Sequence, residues 1–575
     1  MKPNAPATLA SALMLSLVIL LAACSSQSRT QNTDARQDIR LNQIGYYPGS
    51  AKLAVVVNAT SDDFEIRDTT GKKRFSGKLV SRGSWVKSGE QVKTVDFSQF
   101  TSAGTYTIFV PDKGNSYRFS IRPGIYADAL KAALKSYYYQ RCSMPLDAKY
   151  AGVYARAAGH PDTLCYYHPS TGHATGFKPS PKGWYDAGDY NKYIVNTGVT
   201  LGMLMDLAEE YPQAVPDGFT FIPESGNGTS DLLDEVRYEL DWVLTMQDKD
   251  GGVFNKLTNL AFDAFEMPDK ATQKRYFVGK STTAALDFAA NTAQAYRVFK
   301  QTDKPYADKM LAASQAAFSW ALKHPDIAFE NPKDVSTGAY NNKDFRDEFF
   351  WAACELYAST SKEQYLAEAK KYQLPLGFPV GENWRQFVRN LGYYRLADAA
   401  SPLPEAAKEQ IRKDILLQAD SMIVKMNAIP YLVPLDEFQW GSNSDILDAA
   451  MQFAMAYRLS NDKKYLDACS ETADYIFGKN ATGYCFITGL GSKSPMNIHH
   501  RPSASDGIAA PVPGLLVGGP NQFRQDVVSG AKYSSTLPAK SYSDMQASYA
   551  SNEVAINWNA PLVFVLGFLD NEKGK

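Results

Sequence analysis

The chain has 575 residues and a formal net charge of −1, with no long basic run, so nothing in its electrostatics points to nucleic acid as a partner. That length exceeds one compact core and predicts two domains, and a hydrophobic content of 45% can bury a sizeable interior. Aromatic residues make up 12%, including 34 Tyr and 8 Trp, a surplus over packing needs that suits a cleft for a neutral carbohydrate.

Residues 1–23 read as an export signal: Lys2 supplies the positive start, and Leu13, Leu15, Val18, Ile19, Leu20 and Leu21 the apolar run. Leu21-Ala22-Ala23-Cys24 resembles the lipobox of bacterial lipoproteins, which implies lipidation of Cys24; Ser25 rather than Asp after it favours the outer membrane. The alternative is an ordinary secretory signal cut near Ala23. Polar residues 24–38 form a tether.

Residues 39–122 alternate in period two. Tyr106, Ile108 and Val110 share one side of a strand while Thr107 and Phe109 take the other, and Thr70-Gly71 and Ala103-Gly104 mark turns. The pattern predicts an immunoglobulin-like β-sandwich, read as a packing module rather than a sugar binder. Pro123-Gly124 marks the boundary, and residues 125–572 are helical. Ser230 can cap a helix with acidic residues in its first turn and Leu232, Leu233, Val236, Leu240, Val243 and Leu244 on its apolar face. Further helices are predicted over 127–139, 197–210, 282–299, 306–323, 348–359, 384–397, 405–426, 444–459, 464–477 and 553–569, with little strand signal. Such hairpins build a solenoid or a closed α/α toroid, and the lack of a fixed-period repeat argues against the solenoid. Besides Cys24 there are five scattered cysteines, which make no disulfide framework: Cys354 and Cys469 read as core thiols, and Cys142 and Cys165 flank a loop and could pair.

Three segments interrupt the helices. In Gly183-Trp184-Tyr185-Asp186-Ala187-Gly188-Asp189-Tyr190-Asn191-Lys192-Tyr193, two aspartates framed by aromatics can hold one water and take its proton; the alternative is a helix cap beside an ordinary loop aspartate. The Gly-rich stretch 486–502 ends in His499-His500-Arg501-Pro502, suited to hydrogen-bonding sugar hydroxyls, with a buried histidine beside an Arg salt bridge as the alternative. Near the C-terminus, Tyr542, Asp544, Tyr549, Glu553, Asn557, Trp558 and Asn559 crowd together, and an acid among aromatic rings suits protonating a glycosidic oxygen.

The three segments, in this order, resemble glycoside hydrolase family 9, inverting β-1,4-glucanases of the endoglucanase or cellulase type built on an (α/α)6 barrel. The subgroup with an N-terminal immunoglobulin-like domain matches from Arg40-Leu41-Asn42-Gln43-Ile44-Gly45-Tyr46 onward, and the signature aromatic-x-Asp-x4-aromatic-x3-Glu-x-small-x3-Asn-small is met from Tyr542 to Ala560. The resemblance implies Glu553 as general acid, Asp189 as base and Asp186 as its helper in holding the water. It places His499 and Arg501 at the sugar, with Asp544 in support. Trp184, Tyr185, Tyr190 and Tyr549 are expected in the cleft. No cofactor is required for the chemistry. Relatives carry a zinc site of two cysteines and two histidines, but Tyr185 takes one histidine's place here, and only Cys142 and Cys165, with His168 nearby, are evident. The family's structural calcium loop falls near residues 336–342, where Asn341 and Asn342 lower the charge a hard cation needs. The expected partner is a β-glucan or its oligosaccharides, bound by a monomer anchored through Cys24. An exo-β-glucosaminidase acting on chitosan oligosaccharides is the nearest alternative. A non-catalytic glycan-binding lipoprotein and a helical-toroid polysaccharide lyase are the readings from other classes.

Overall fold

The computed structural model describes residues 37–340, 342–377 and 388–573; the leader, Cys24 and the tether up to residue 36 lie outside these, as does Trp384 at the start of one predicted helix. The first domain is a β-sandwich. One sheet runs Ile39–Arg40, Leu53–Val57, Glu90–Asp96, Val80–Trp85; the other runs Lys73–Lys78, Asp63–Asp68, Gly104–Val110, Gly114–Asn115, with Phe119–Ile121 also pairing with Gly104–Val110. Tyr106, Ile108 and Val110 are buried in its core with Val56, Phe64 and Ile66, as the alternation requires. Strand Leu53–Val57 is buried on both faces: Ala54 and Val56 point into the sandwich, while Val55 and Val57 join the core of the second domain.

Among the described residues of the second domain, twelve helices have nine residues or more: α1 (Ala127–Gln140), α2 (Ile194–Glu210), α3 (Asp231–Thr245), α4 (Thr282–Phe299), α5 (Lys304–Lys323), α6 (Arg346–Thr360), α7 (Glu363–Lys371), α8 (Val388–Ala397), α9 (Glu405–Ala428), α10 (Ser442–Ser460), α11 (Lys463–Ile476) and α12 (Ile556–Lys573). The even-numbered helices form an inner ring. Neighbours pack from α12 to α2, α4, α6 and α8, α10 packs on α12, and Asn390 Nδ2 reaches Gln452 Oε1 between α8 and α10 at 3.4 Å. Inner helices are buried almost all round, which small residues such as Ala284, Ala285, Ala289, Ala290 and Ala293 of α4 allow. The outer α9 buries only one stripe, including Ile415, Ala419, Met422 and Met426 at helical spacing. Ser230 and Ser281 cap α3 and α4 through bonds accepted from Leu232 N and Ala284 N.

Two expectations are corrected. The helical domain also holds a five-stranded sheet, ordered Phe177–Lys178, Cys165–Tyr167, Arg275–Lys280, Phe254–Thr258, Lys192–Tyr193. Its interior strand Phe254–Thr258 is buried throughout, so it shows no alternation. The last helix begins at Ile556, not Glu553: Glu553 is extended and pairs with His499, and Val554 pairs with Val517.

Candidate active site

The loop between α1 and α2 is fixed from several sides. Asp186 N–H donates to Asn191 O (3.0 Å), and Ile556 N–H, at the start of α12, donates to Asp186 O (2.8 Å). Arg501 donates from its backbone N and from Nη1 to Gly188 O (3.0 and 2.9 Å), and from Nε to Asp263 O (2.9 Å). Only glycine fits at 188, because a Cβ there would lie 2.1 Å from His499 O. Beneath the loop, Lys192 Nζ pairs with Asp162 Oδ2 (2.8 Å) and donates to Lys182 O (2.7 Å), and Arg275 Nη1 donates to Tyr190 O (2.6 Å).

This scaffold brings Asp186, Asp189 and Glu553 together. Asp189 and Glu553 line one pocket of about 390 Å³, with Tyr193, Tyr340, Trp440 and Trp558 among its walls. Buried Asp186 accepts from Asn196 Nδ2 on both oxygens (2.8 Å each) and from the Tyr340 hydroxyl on Oδ2 (3.1 Å). Asp189 Oδ2 accepts from Asn191 Nδ2 (2.6 Å) and the Tyr193 hydroxyl (3.2 Å); among the described residues no hydrogen bond engages Oδ1. Burial raises the pKa of all three carboxyl groups, and the charge of Asp189 adds to the rise at Asp186 and Glu553. The rise at Asp189 is the smallest because Arg501 opposes it first, helped by Asn191, Tyr193 and Arg275. Of the three, Asp189 is thus the least strongly pushed toward the protonated form, and Glu553 is pushed well toward it.

His499 is half-buried. Nδ1 donates to Gln546 O (2.7 Å), and burial lowers its pKa to about 4, so the neutral ring presents Nε2 as an acceptor. Its ring packs against Phe265 and Tyr549, whose centroids lie 5.1 and 6.1 Å away, and Tyr549 leans on Trp440 (5.3 Å). Arg501 is buried under Phe262 and Phe265 and acts first as a strut for Gly188 and Asp263. Asp544 accepts from the backbone N of Met496 and Asn497 (3.0 and 2.8 Å), which makes it the clamp of the His499 loop.

Trp184 and Tyr185 are not cleft aromatics. Both are fully buried behind the loop, Trp184 against Tyr137 with its indole N donating to Glu235 (3.2 Å), Tyr185 against Tyr190 with its hydroxyl at His160 Nδ1 (2.9 Å). Tyr190 is buried too, and His500 bonds Gln140 in the interior (3.0 Å). The exposed rings beside the site are Phe262, Phe265 and Trp440, which come from loops without a motif.

A zinc ion does not fit beside Cys142 and Cys165. Both thiols are buried and free, and the groups around them are an ion cluster of Asp162, Lys192 and Arg275; His168 turns to Asp334 (3.2 Å). Calcium fares no better in the stretch 336–342. The carbonyls of Thr337 and Gly338 accept from Lys256 Nζ, Asn341 lies outside the described residues, and buried Asp347 and Glu348 are pushed toward the protonated form. Among the described residues no group of three or more His, Cys, Asp or Glu is gathered for a metal.

Residues 34–115 match the cellulase N-terminal ig-like domain. The chain is 41% identical to the xyloglucan-specific endo-beta-1,4-glucanase BoGH9A of Bacteroides ovatus over 96% of both chains. It is 34% identical to endoglucanase D of Acetivibrio thermocellus over 95% of this chain and 85% of that one. A solved Bacteroides ovatus GH9 structure superposes with a TM-score of 0.86 at 40% identity, covering 93% of this chain and 99% of that one. With residues 126–566 matching glycosyl hydrolase family 9 and two carboxyl groups of unlike charge compensation in one cleft, the chain belongs to that family and is a glycoside hydrolase.

Proposed function

We propose that the protein is an inverting endo-β-1,4-glucanase acting on soluble β-glucans, with xyloglucan the leading candidate. The observation that carries this is the pairing, in one pocket, of Asp189, charge-compensated by Arg501, with Glu553, which burial and Asp189 keep protonated. Glu553 protonates the leaving glycosidic oxygen. Asp189 takes a proton from a water aimed at the anomeric carbon through Oδ1, and Asp186, held by Asn196 and Tyr340, steadies that water. Single displacement calls for carboxyl groups about 6.5–9.5 Å apart. The choice of xyloglucan rests on the Bacteroides ovatus relative.

Product mass and anomeric configuration, followed on xyloglucan, mixed-linkage glucan, cellotetraose and chitosan oligosaccharides, test class and mechanism together. The expected result is internal cleavage of a β-glucan to α-anomers, with Glu553→Gln losing turnover by about 10²–10⁴-fold while still binding oligosaccharide. Retention of configuration, or full activity in Glu553→Gln, overturns the reading. The protein is further proposed to act as a monomer held at the outer membrane by a lipid on Cys24, supported by the Leu-Ala-Ala-Cys sequence. Cys24→Ala then abolishes lipid labelling and releases the protein from membranes; unchanged labelling refutes it.

A further inference from the structure

Lys256 lies on strand Phe254–Thr258, fully buried, opposite Tyr193 in the neighbouring strand. Its ammonium meets four oxygens: Asn331 Oδ1 (2.7 Å), Gly338 O (2.7 Å), Thr337 Oγ1 (3.0 Å) and Thr337 O (3.4 Å). None is a carboxylate, so the site is a cage of neutral oxygens; burial lowers the Lys256 pKa to about 7 while the charge of Asp189 opposes the fall, so the amine carries its proton on the acid side of neutrality. The cage occupies the stretch where the family resemblance leads one to expect a metal ion.

What the cage holds leads to the reacting groups. Gly338 N–H donates to the Tyr193 hydroxyl (3.2 Å), which donates to Asp189 Oδ2 (3.2 Å). Thr337 Oγ1 meets Thr258 Oγ1 (2.7 Å), Thr258 donates to Asn191 Oδ1 (2.9 Å), and Asn191 Nδ2 donates to Asp189 Oδ2 (2.6 Å). Two residues beyond Gly338, Tyr340 adopts a left-handed φ of 46° and donates its hydroxyl to Asp186 Oδ2 (3.1 Å). A side chain at 338 would press on Tyr340 at 2.8 Å, so Gly338 lets the Tyr193 and Tyr340 rings meet with centroids 4.7 Å apart. A left-handed tyrosine persists only where its surroundings over-determine it.

We propose that Lys256 is a positioning residue: its Nζ is the hub on which the loop 331–340 closes and, through Thr337 and Gly338, sets the hydroxyls of Tyr193 and Tyr340 against Asp189 and Asp186. The proposal rests on the roles given above to the two aspartates.

Lys256→Met keeps the length of the side chain and removes the charge and the bonds. The expected result is a fall in kcat of about 10–100-fold, as for a sub-ångström misplacement of catalytic groups, with KM within about 3-fold. The acid limb of the kcat/KM profile moves to higher pH, because a cation that favours the charged form of Asp189 is gone. In a double-mutant cycle, Tyr193→Phe costs less in the Lys256→Met background than alone. Should Lys256→Met not fold, Thr337→Val removes one ligand of the ammonium and lowers kcat several-fold at constant KM. Wild-type kcat and an unmoved acid limb in a folded Lys256→Met protein, or strict additivity with Tyr193→Phe, overturn the proposal. Full activity of Asp189→Asn would instead overturn the assignment of the base and leave the cage itself untouched.

Discussion

Arg501 acts on both carboxyl groups that face the cleft. Its guanidinium is the first influence lowering the pKa of Asp189, and it also lowers that of Glu553, in both cases against burial. Removing it as Arg501→Met therefore raises both pKa values. Asp189 then protonates earlier as pH falls and Glu553 deprotonates later as pH rises, so both limbs of the kcat/KM profile move upward together; a profile that only falls in height would deny Arg501 this electrostatic role. At this scale the sequence is informative wherever spacing encodes chemistry. Asp186, Asp189 and Glu553 stand in tight motifs, and the structure gathers them. The aromatic frame misleads because Trp184 and Tyr185 turn their rings to Glu235 and His160 behind the loop. Asn196, Tyr340 and Lys256 carry no local signal: each is recognisable only once a distant segment lies against the aspartates.

Among the elements, an ion cluster of Asp162, Lys192 and Arg275 anchors the loop between α1 and α2 from beneath. Lys192 and Asp162 are buried and paired, and Arg275 and Lys192 together hold the Asp162 carboxyl below its ordinary range against burial. Lys192→Met leaves Asp162 with Arg275, at 3.6 Å, as its one charged partner in the cluster and is expected to cost on the order of 3 kcal/mol in denaturant unfolding. A loss within about 0.5 kcal/mol, the range of an ordinary surface substitution, would show the loop to be held by its backbone bonds alone. Outer helices announce themselves by amphipathic stripes, and the predicted α3, α9 and α11 agree with the structure to within a few residues. The short sheet does not, since strands of two to six residues are too short to show a period, and Phe254–Thr258 is buried on both faces. Glu553 was likewise drawn into its helix by the apolar run that follows, because extended pairing with His499 depends on a partner far away in sequence.

Across the whole molecule the sandwich is structurally continuous with the barrel. Trp85 packs its ring against Tyr431 at 4.9 Å and Phe438 at 6.1 Å, and Tyr431 donates to Glu90 of the sandwich (2.6 Å). Asn42 donates to Asp474 (2.6 Å), and Gln43 takes the backbone N–H of Ser492 and Lys493 (2.9 Å each), on the stretch leading to His499. Trp85→Ala is expected to cost about 3–5 kcal/mol. Both domains should still unfold in one calorimetric transition at lower temperature; two separated transitions would mean that the interface does not couple them.

The ring of inner helices has a temporal consequence. Asp189 lies just before α2, the first of the six, and Glu553 just before α12, the last. The proposed base is thus synthesised early and its proposed acid partner only after every other inner helix. On the proposed mechanism, hydrolysis waits until α12 slots between α10 and α2 and completes the circle, so that turnover would report closure of the toroid.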